Sequence, residues 1–407
     1  MSGHRDACRG PSTFYRHKTM VERLHRPYYY TLDCIRFAAA LLVAVFHLAF
    51  YCWANPYSSV GHIFSNAAQF NALAPISWFG WVGVEIFFVI SGFVIANSAR
   101  GATAANFAVG RVLRLYPAIW VCAPITLAML LLVVRSPNGH LFVIFLKSML
   151  LLPKEPWIDG VYWSLQVELV FYCLIFGFLL FGFFYRLDLL AWTLSAWSGL
   201  YLLVAWEVET GTVHQFFGWW RLSEDANVLL LRHGCFFALG MWLWLATNAP
   251  LTARQRIAAS SALVLCLFEI ALRTREMIGE VPSYVHRPVL VPILVWLSAI
   301  TAMVLITQCP ARFNPKSRLT AGLLKKIGGM TYPLYLVHSV AGAGLMVILI
   351  HRSVPAGLAL VAALTTALGL SYAISVYWEP YARKKLSEAS RMPRATRLDY
   401  KSASKPR

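Results

Sequence analysis

The sequence predicts an all-α, polytopic membrane protein with about ten transmembrane helices. Three observations carry this. The 407-residue chain is 58% hydrophobic and only 13% charged, whereas a soluble domain carries about a quarter charged residues. Its apolar residues gather into stretches of about 17–25, the length that crosses the hydrocarbon as a helix. Its Lys and Arg fall unequally on alternate loops, the pattern of the positive-inside rule.

In chain order the stretches are 32–53, 77–98, 113–134, 163–184, 187–206, 227–246, 256–272, 288–307, 331–350 and 354–378. The segment 141–152, LFVIFLKSMLLL, is apolar but short and reads as re-entrant or interfacial. The first 26 residues are polar and basic, unlike a cleavable signal peptide. Tyr28, Tyr29 and Tyr30 stand where an aromatic belt meets the headgroups. The expected organisation is a basic tail over 1–30, a membrane domain over 31–380 and a basic tail over 381–407.

With boundary arginines counted, the loops on one side and both tails hold 26 of the 36 Lys and Arg. Both termini are therefore expected in the cytoplasm. Glu207, Glu209, Glu224 and Asp225 fall on the opposite side. The net charge of +18 thus serves topology and contact with anionic lipids, and no nucleic-acid partner is expected. The eight cysteines form no C-x-x-C pair and read as small buried residues. No metal-ligand spacing appears, so no metal is expected.

Several polar residues interrupt the apolar runs. The first helix, TLDCIRFAAALLVAVFHLAF, carries Arg36 and His47. Eleven residues at 100° bring the two onto one face, roughly 16–17 Å apart along the axis. The second helix carries Glu85, followed by Ser91 and Gly92, and the fourth carries Glu168 one turn after Ser164. Arg111 and Arg114, spaced i, i+3 in GRVLRLYP, share a face and form a phosphate clamp or a headgroup anchor. Pro117 kinks or starts that helix. Arg232 and His233 adjoin in the sixth helix. In the ninth, Tyr332, Tyr335 and Ser339 form a stripe with His338 on its edge. Ionisable groups inside a membrane mark functional sites. A proton-coupled transporter is the rival expectation to an enzyme, but the sequence shows none of the internal symmetry common in transporters.

These pieces resemble the acyltransferase-3 family of integral membrane acyltransferases. The family's Arg-x10-His is met by Arg36 and His47, and its Arg-x-x-Arg by Arg111 and Arg114. Its Gly-Val-Asp-x-Phe-Phe-Val-x-Ser-Gly-Phe run is met by GVEIFFVISGF, where Glu85 stands for the usual Asp. WSLQVELVFY, with Trp163, Ser164 and Glu168, meets another block, and Tyr332, Tyr335 and His338 meet Tyr-x-x-Tyr-Leu-x-His. The resemblance implies transfer of an acyl group, most often acetyl, from cytoplasmic acyl-CoA to a hydroxyl of a glycan or glycolipid. It implies His47 as base with Glu168 or Glu85 orienting it, and Arg36, Arg111 and Arg114 on the donor. It implies Trp163, Ser164, Tyr335 and His338 near the substrate. A bacterial inner-membrane location follows, with membrane lipids as partners and room for a homo-oligomer. No appended hydrolase-like domain is expected after the last helix.

Overall fold

The computed structural model describes residues 29–133, 139–209, 229–281 and 288–390, and those residues form helices joined by turns and loops, with no strand among them. The basic tails, apart from 29–30 and 381–390, lie outside them, as does most of the acidic 207–226 segment. The principal helices are α1 (Tyr30–Phe46), α2 (Val82–Ala99), α3 (Ala104–Val133), α4 (Gly139–Met149), α5 (Tyr162–Leu180), α6 (Leu187–Glu209) and α7 (Gly234–Asn248). They are followed by α8 (Ala253–Glu280), α9 (Leu290–Gln308), α10 (Arg318–Val337), α11 (Val340–His351), α12 (Ala356–Ala373) and α13 (Glu379–Ser390).

Eight of the described helices are long and apolar enough to cross a membrane, or nine if the bent pair α10–α11 counts as one. The sixth expected span, 227–246, is shorter than expected. Its helix α7 has fifteen residues, about 22 Å at 1.5 Å per residue, which is short of a hydrocarbon core of about 30 Å. Nearly every residue of its first three turns is buried, so α7 reads as apolar because it is surrounded by protein. Of the stretch 141–152, residues 141–149 lie in the short helix α4 and the last three in the turn after it.

Two further boundaries move. Helix α3 begins at Ala104, nine residues before the expected 113, with Pro117 and Pro124 inside it. A proline at 117 has no N–H for the Leu113 carbonyl. Arg383 Nε donates to that carbonyl instead (3.1 Å), and Trp378 Nε1 donates to the Pro117 carbonyl (2.6 Å). The end of the α12–α13 arm is thereby latched onto α3. The expected ninth span begins thirteen residues early as α10, whose basic first half with Lys325 and Lys326 hides it from an apolar window. It then breaks at His338 and Ser339, with α11 leaving at 67°. Ser339 therefore sits in the break and not on a stripe with Tyr332 and Tyr335.

Helix α1 is irregular too, since His47–Tyr51 forms a π-helical turn; such turns occur often at functional sites. The densest packing joins α2 to α7 and α1 to α10. The α2–α7 crossing is set by two glycines. A Cβ at Gly92 would run into the Phe237 backbone, and one at Gly240 into that of Val89. Small residues at such crossings let membrane helices approach closely. Gly240→Ala should therefore destabilise the chain by about 1–3 kcal/mol through overpacking, read as a lowered melting temperature in detergent. Gly177→Ala, where a Cβ meets nothing within 4 Å, is the control.

Candidate active site

Three adjoining cavities run along the face of α1 that carries Arg36 and His47. The first, about 720 Å³, lies at the N-terminal end of α1 between α2, α3, α10 and α13. Its wall includes Arg36, Arg114, Lys325, Lys326 and Arg383 against Asp33 and Glu379. Arg36 stands 4.0 Å from Asp33, and Arg383 pairs with Glu379. The expected pairing of Arg111 with Arg114 is not what forms this wall. The Arg111 guanidinium lies over the rings of Phe107 (5.3 Å) and Tyr172 (5.4 Å), and Arg114 faces the cavity beside Arg36.

The second cavity is narrow, about 50 Å³, and shares Arg36, Arg114 and Tyr332 with the first. Glu168 lines it and accepts hydrogen bonds from Ser91 Oγ and Tyr172 OH, both at 2.8 Å. Ser164 Oγ and Tyr335 OH meet across it at 2.6 Å. Glu168 thus faces two arginines and does not orient His47, which corrects that expectation.

The third cavity, about 320 Å³, shares Val84 and Tyr335 with the second. His47, Glu85, Trp163 and His233 line it. His47 Nδ1 lies 3.0 Å from the Val43 carbonyl and 3.1 Å from His338 Nε2. His338 Nδ1 lies 3.1 Å from the Leu334 carbonyl. A carbonyl only accepts, so the neutral His338 ring carries its proton on Nδ1 and offers Nε2 as an acceptor. His47 Nδ1 then donates to its two acceptors, and its Nε2 keeps a lone pair. The hydrogen bonds assign this tautomer. The orienting partner of His47 is therefore His338, not Glu168 or Glu85. His338 is fully buried and lines none of the three cavities, so it touches His47 where substrate contact was expected.

Four groups here escaped the sequence reading. Glu269, Arg273, Glu276 and Glu280 of α8 form an ion-pair ladder with Arg232. Arg232 bonds Glu269 (2.7 Å) and Glu276 (2.9 Å), and Arg273 bonds Glu276 (3.3 Å) and Glu280 (2.7 Å). Tyr51 OH, in the π-turn, donates to Glu280 (3.2 Å). Glu269 interrupts the apolar run LVLCLFEIAL, so the logic that found Glu85 and Glu168 also applies to it.

Asp159 was missed as well. It lies in the loop before α5, and its two oxygens accept from Val161 N (3.2 Å) and from Val340 N (2.9 Å). The second bond caps α11 from outside its own segment, directly after the break that aims His338. Burial pushes the Asp159 carboxyl up to about 6 from its ordinary 3.8. The folded chain holds this proton more tightly than the unfolded chain, so the Asp159 contribution is complete below about pH 4 and lost as pH rises to about 6. Between pH 4 and pH 7 the stability of wild type relative to Asp159→Asn should fall by about 2 kcal/mol. Thermal melts of both proteins at the two pH values measure it, and parallel behaviour would contradict it.

Residues 29–376 match the family described as an acyltransferase domain. Nodulation protein 10 of Rhizobium leguminosarum bv. viciae is 36% identical over 112 aligned residues, covering 22% of this chain and 30% of that protein. The matched region thus spans less than a third of this curated relative. No solved structure matches the chain. With most of its described residues inside the matched segment, the chain belongs to the acyltransferase-3 family of membrane acyltransferases.

Proposed function

We propose that this acyltransferase moves an acyl group, acetyl in the simplest case, from cytoplasmic acyl-CoA to a hydroxyl of a glycan or glycolipid at the opposite membrane face. The observation that carries this reading is the succession of cavities from the cationic first chamber to His47. Arg36, Arg114, Lys325 and Lys326 suit the CoA phosphates, because guanidinium and ammonium groups both bind phosphate oxygens strongly. The narrow cavity, bounded by Tyr332 and Tyr335, suits an extended tail. The third chamber, with Trp81, Trp157 and Trp163, offers flat apolar faces to a sugar ring.

In this reading His47 Nε2 takes the proton of the acceptor hydroxyl as its oxygen attacks the thioester carbon. The tetrahedral intermediate then expels the CoA thiolate, which takes the proton back from His47. No net proton is gained or lost. His338 acts as a positioning residue, holding the lone pair of His47 towards the third chamber.

The test is acyl transfer by purified protein from labelled acetyl-CoA to a glycolipid extract. His47→Gln keeps size and hydrogen bonding but is not a base at neutral pH. It should lower kcat by about 10²–10⁴-fold with KM for the donor unchanged. Arg114→Lys keeps charge but loses the bidentate fork, so it should raise the donor KM with kcat nearly unchanged. Near-parental kcat in His47→Gln would return His47 to a structural role.

The Lys and Arg asymmetry supports a cytoplasmic first chamber. Leu319 and Tyr57 are 85% and 87% exposed and lie on opposite sides of the expected topology. In intact cells an impermeant maleimide should label Tyr57→Cys and spare Leu319→Cys. The reverse pattern would invert the chambers.

A further inference from the structure

Beside the third cavity three buried polar atoms have no hydrogen-bond partner: Oε2 of Glu85 and Nδ1 of His233, two residues of its wall, and Oε2 of Glu269. They come from α2, from the residue that caps α7, and from α8. Atoms of the three side chains all lie within 4.8 Å of one another. The residues are 3%, 3% and 0% exposed. Buried polar atoms are nearly always satisfied, and two carboxylate oxygens cannot satisfy each other because both only accept.

The neighbouring cations are committed elsewhere. Arg232 holds the other oxygen of Glu269 and reaches Glu276, while Arg273 holds Glu276 and Glu280. Among the described residues no ion pair reaches Glu85. The His233 ring is held between Trp163 (centroids 5.3 Å apart) and Phe88 (5.1 Å), which fixes its direction.

We infer that Glu85, His233 and Glu269 hold a divalent cation of the zinc class. One imidazole nitrogen and two carboxylate oxygens form the mixed donor set that such ions take. Three protein ligands leave a further position, and Glu85 and His233 turn it towards the cavity they share with His47. The ion supplies the positive charge that Glu85 lacks. Arg232, bonded to the second oxygen of Glu269, acts as the outer partner that orients a metal-bound carboxylate. Bonds of about 2.0–2.2 Å require only a modest contraction of the side chains. The ligands lie far apart in the chain, which is why no metal spacing is visible in the sequence. The inference does not rest on the acyl-transfer reading.

The test uses the full-length, tag-free protein in detergent, stripped with a chelator and titrated calorimetrically with Zn²⁺ and Mn²⁺. Elemental analysis should find about one ion per chain, and the loaded protein should melt higher. The near-isosteric Glu85→Gln and Glu269→Gln should each weaken binding at least roughly tenfold. Absence of saturable binding by the wild type overturns the inference, with no variant needed. Binding of unchanged affinity in both variants also overturns it, since the ion would then sit elsewhere. No binding by the wild type together with a higher melting temperature for Glu85→Gln would mean that the three atoms share protons instead.

Discussion

The contact of 3.1 Å between His47 Nδ1 and His338 Nε2 joins two irregular helices of the described structure. On one side is the π-helical turn that begins at His47, and on the other the break between α10 and α11. Neither irregularity is needed to cross a bilayer, and both leave backbone groups to be satisfied where water is scarce. The structure satisfies them locally. Val43 and Leu334 offer carbonyls to the two imidazoles, and Asp159 takes the first free N–H of α11. The imidazole pair, the turn and the cap support one another, so disturbing one changes where His47 points.

A second constraint is charge. A membrane protein keeps a buried charge only when it is paired or faces a cavity. Here the charges divide by place. Arg36 and Arg114 face Glu168 at the neck between the first two cavities. Arg232 and Arg273 are laced to the carboxylates of α8. Glu85 belongs to neither set, and it is where the electrostatic account leaves room for an added cation. The close α2–α7 crossing through Gly92 and Gly240 brings Glu85 and His233 to one wall.

Much of this was legible in the sequence. The face shared by Arg36 and His47 follows from helical periodicity, and the polar interruptions at Glu85, Glu168 and His338 mark the helices that line the cavities. Partnership was not legible. His47 and His338 are 291 positions apart, and nothing in local spacing chooses His338 over Glu168 as the partner. Arg111 and Arg114 share a helical face, but aromatic rings from α3 and α5 capture the first and leave the second to the cavity. Apolar length alone could not show that α7 is enclosed by protein and has only fifteen residues. Nor could it find the start of α10, where Lys325 and Lys326 interrupt the pattern. In each case tertiary surroundings decided what composition left open.

In the proposed reaction, a donor held by Arg36 and Arg114 presents its thioester to His47 through the narrow cavity. The most direct measurement is an electron cryomicroscopy structure with a non-hydrolysable acyl-CoA analogue bound. The account predicts the phosphates against Arg36, Arg114 and Lys325, the tail between Tyr332 and Tyr335, and the thioester-equivalent carbon in contact with His47 Nε2. A donor lying wholly within the first chamber, with its acyl end remote from His47, would contradict it.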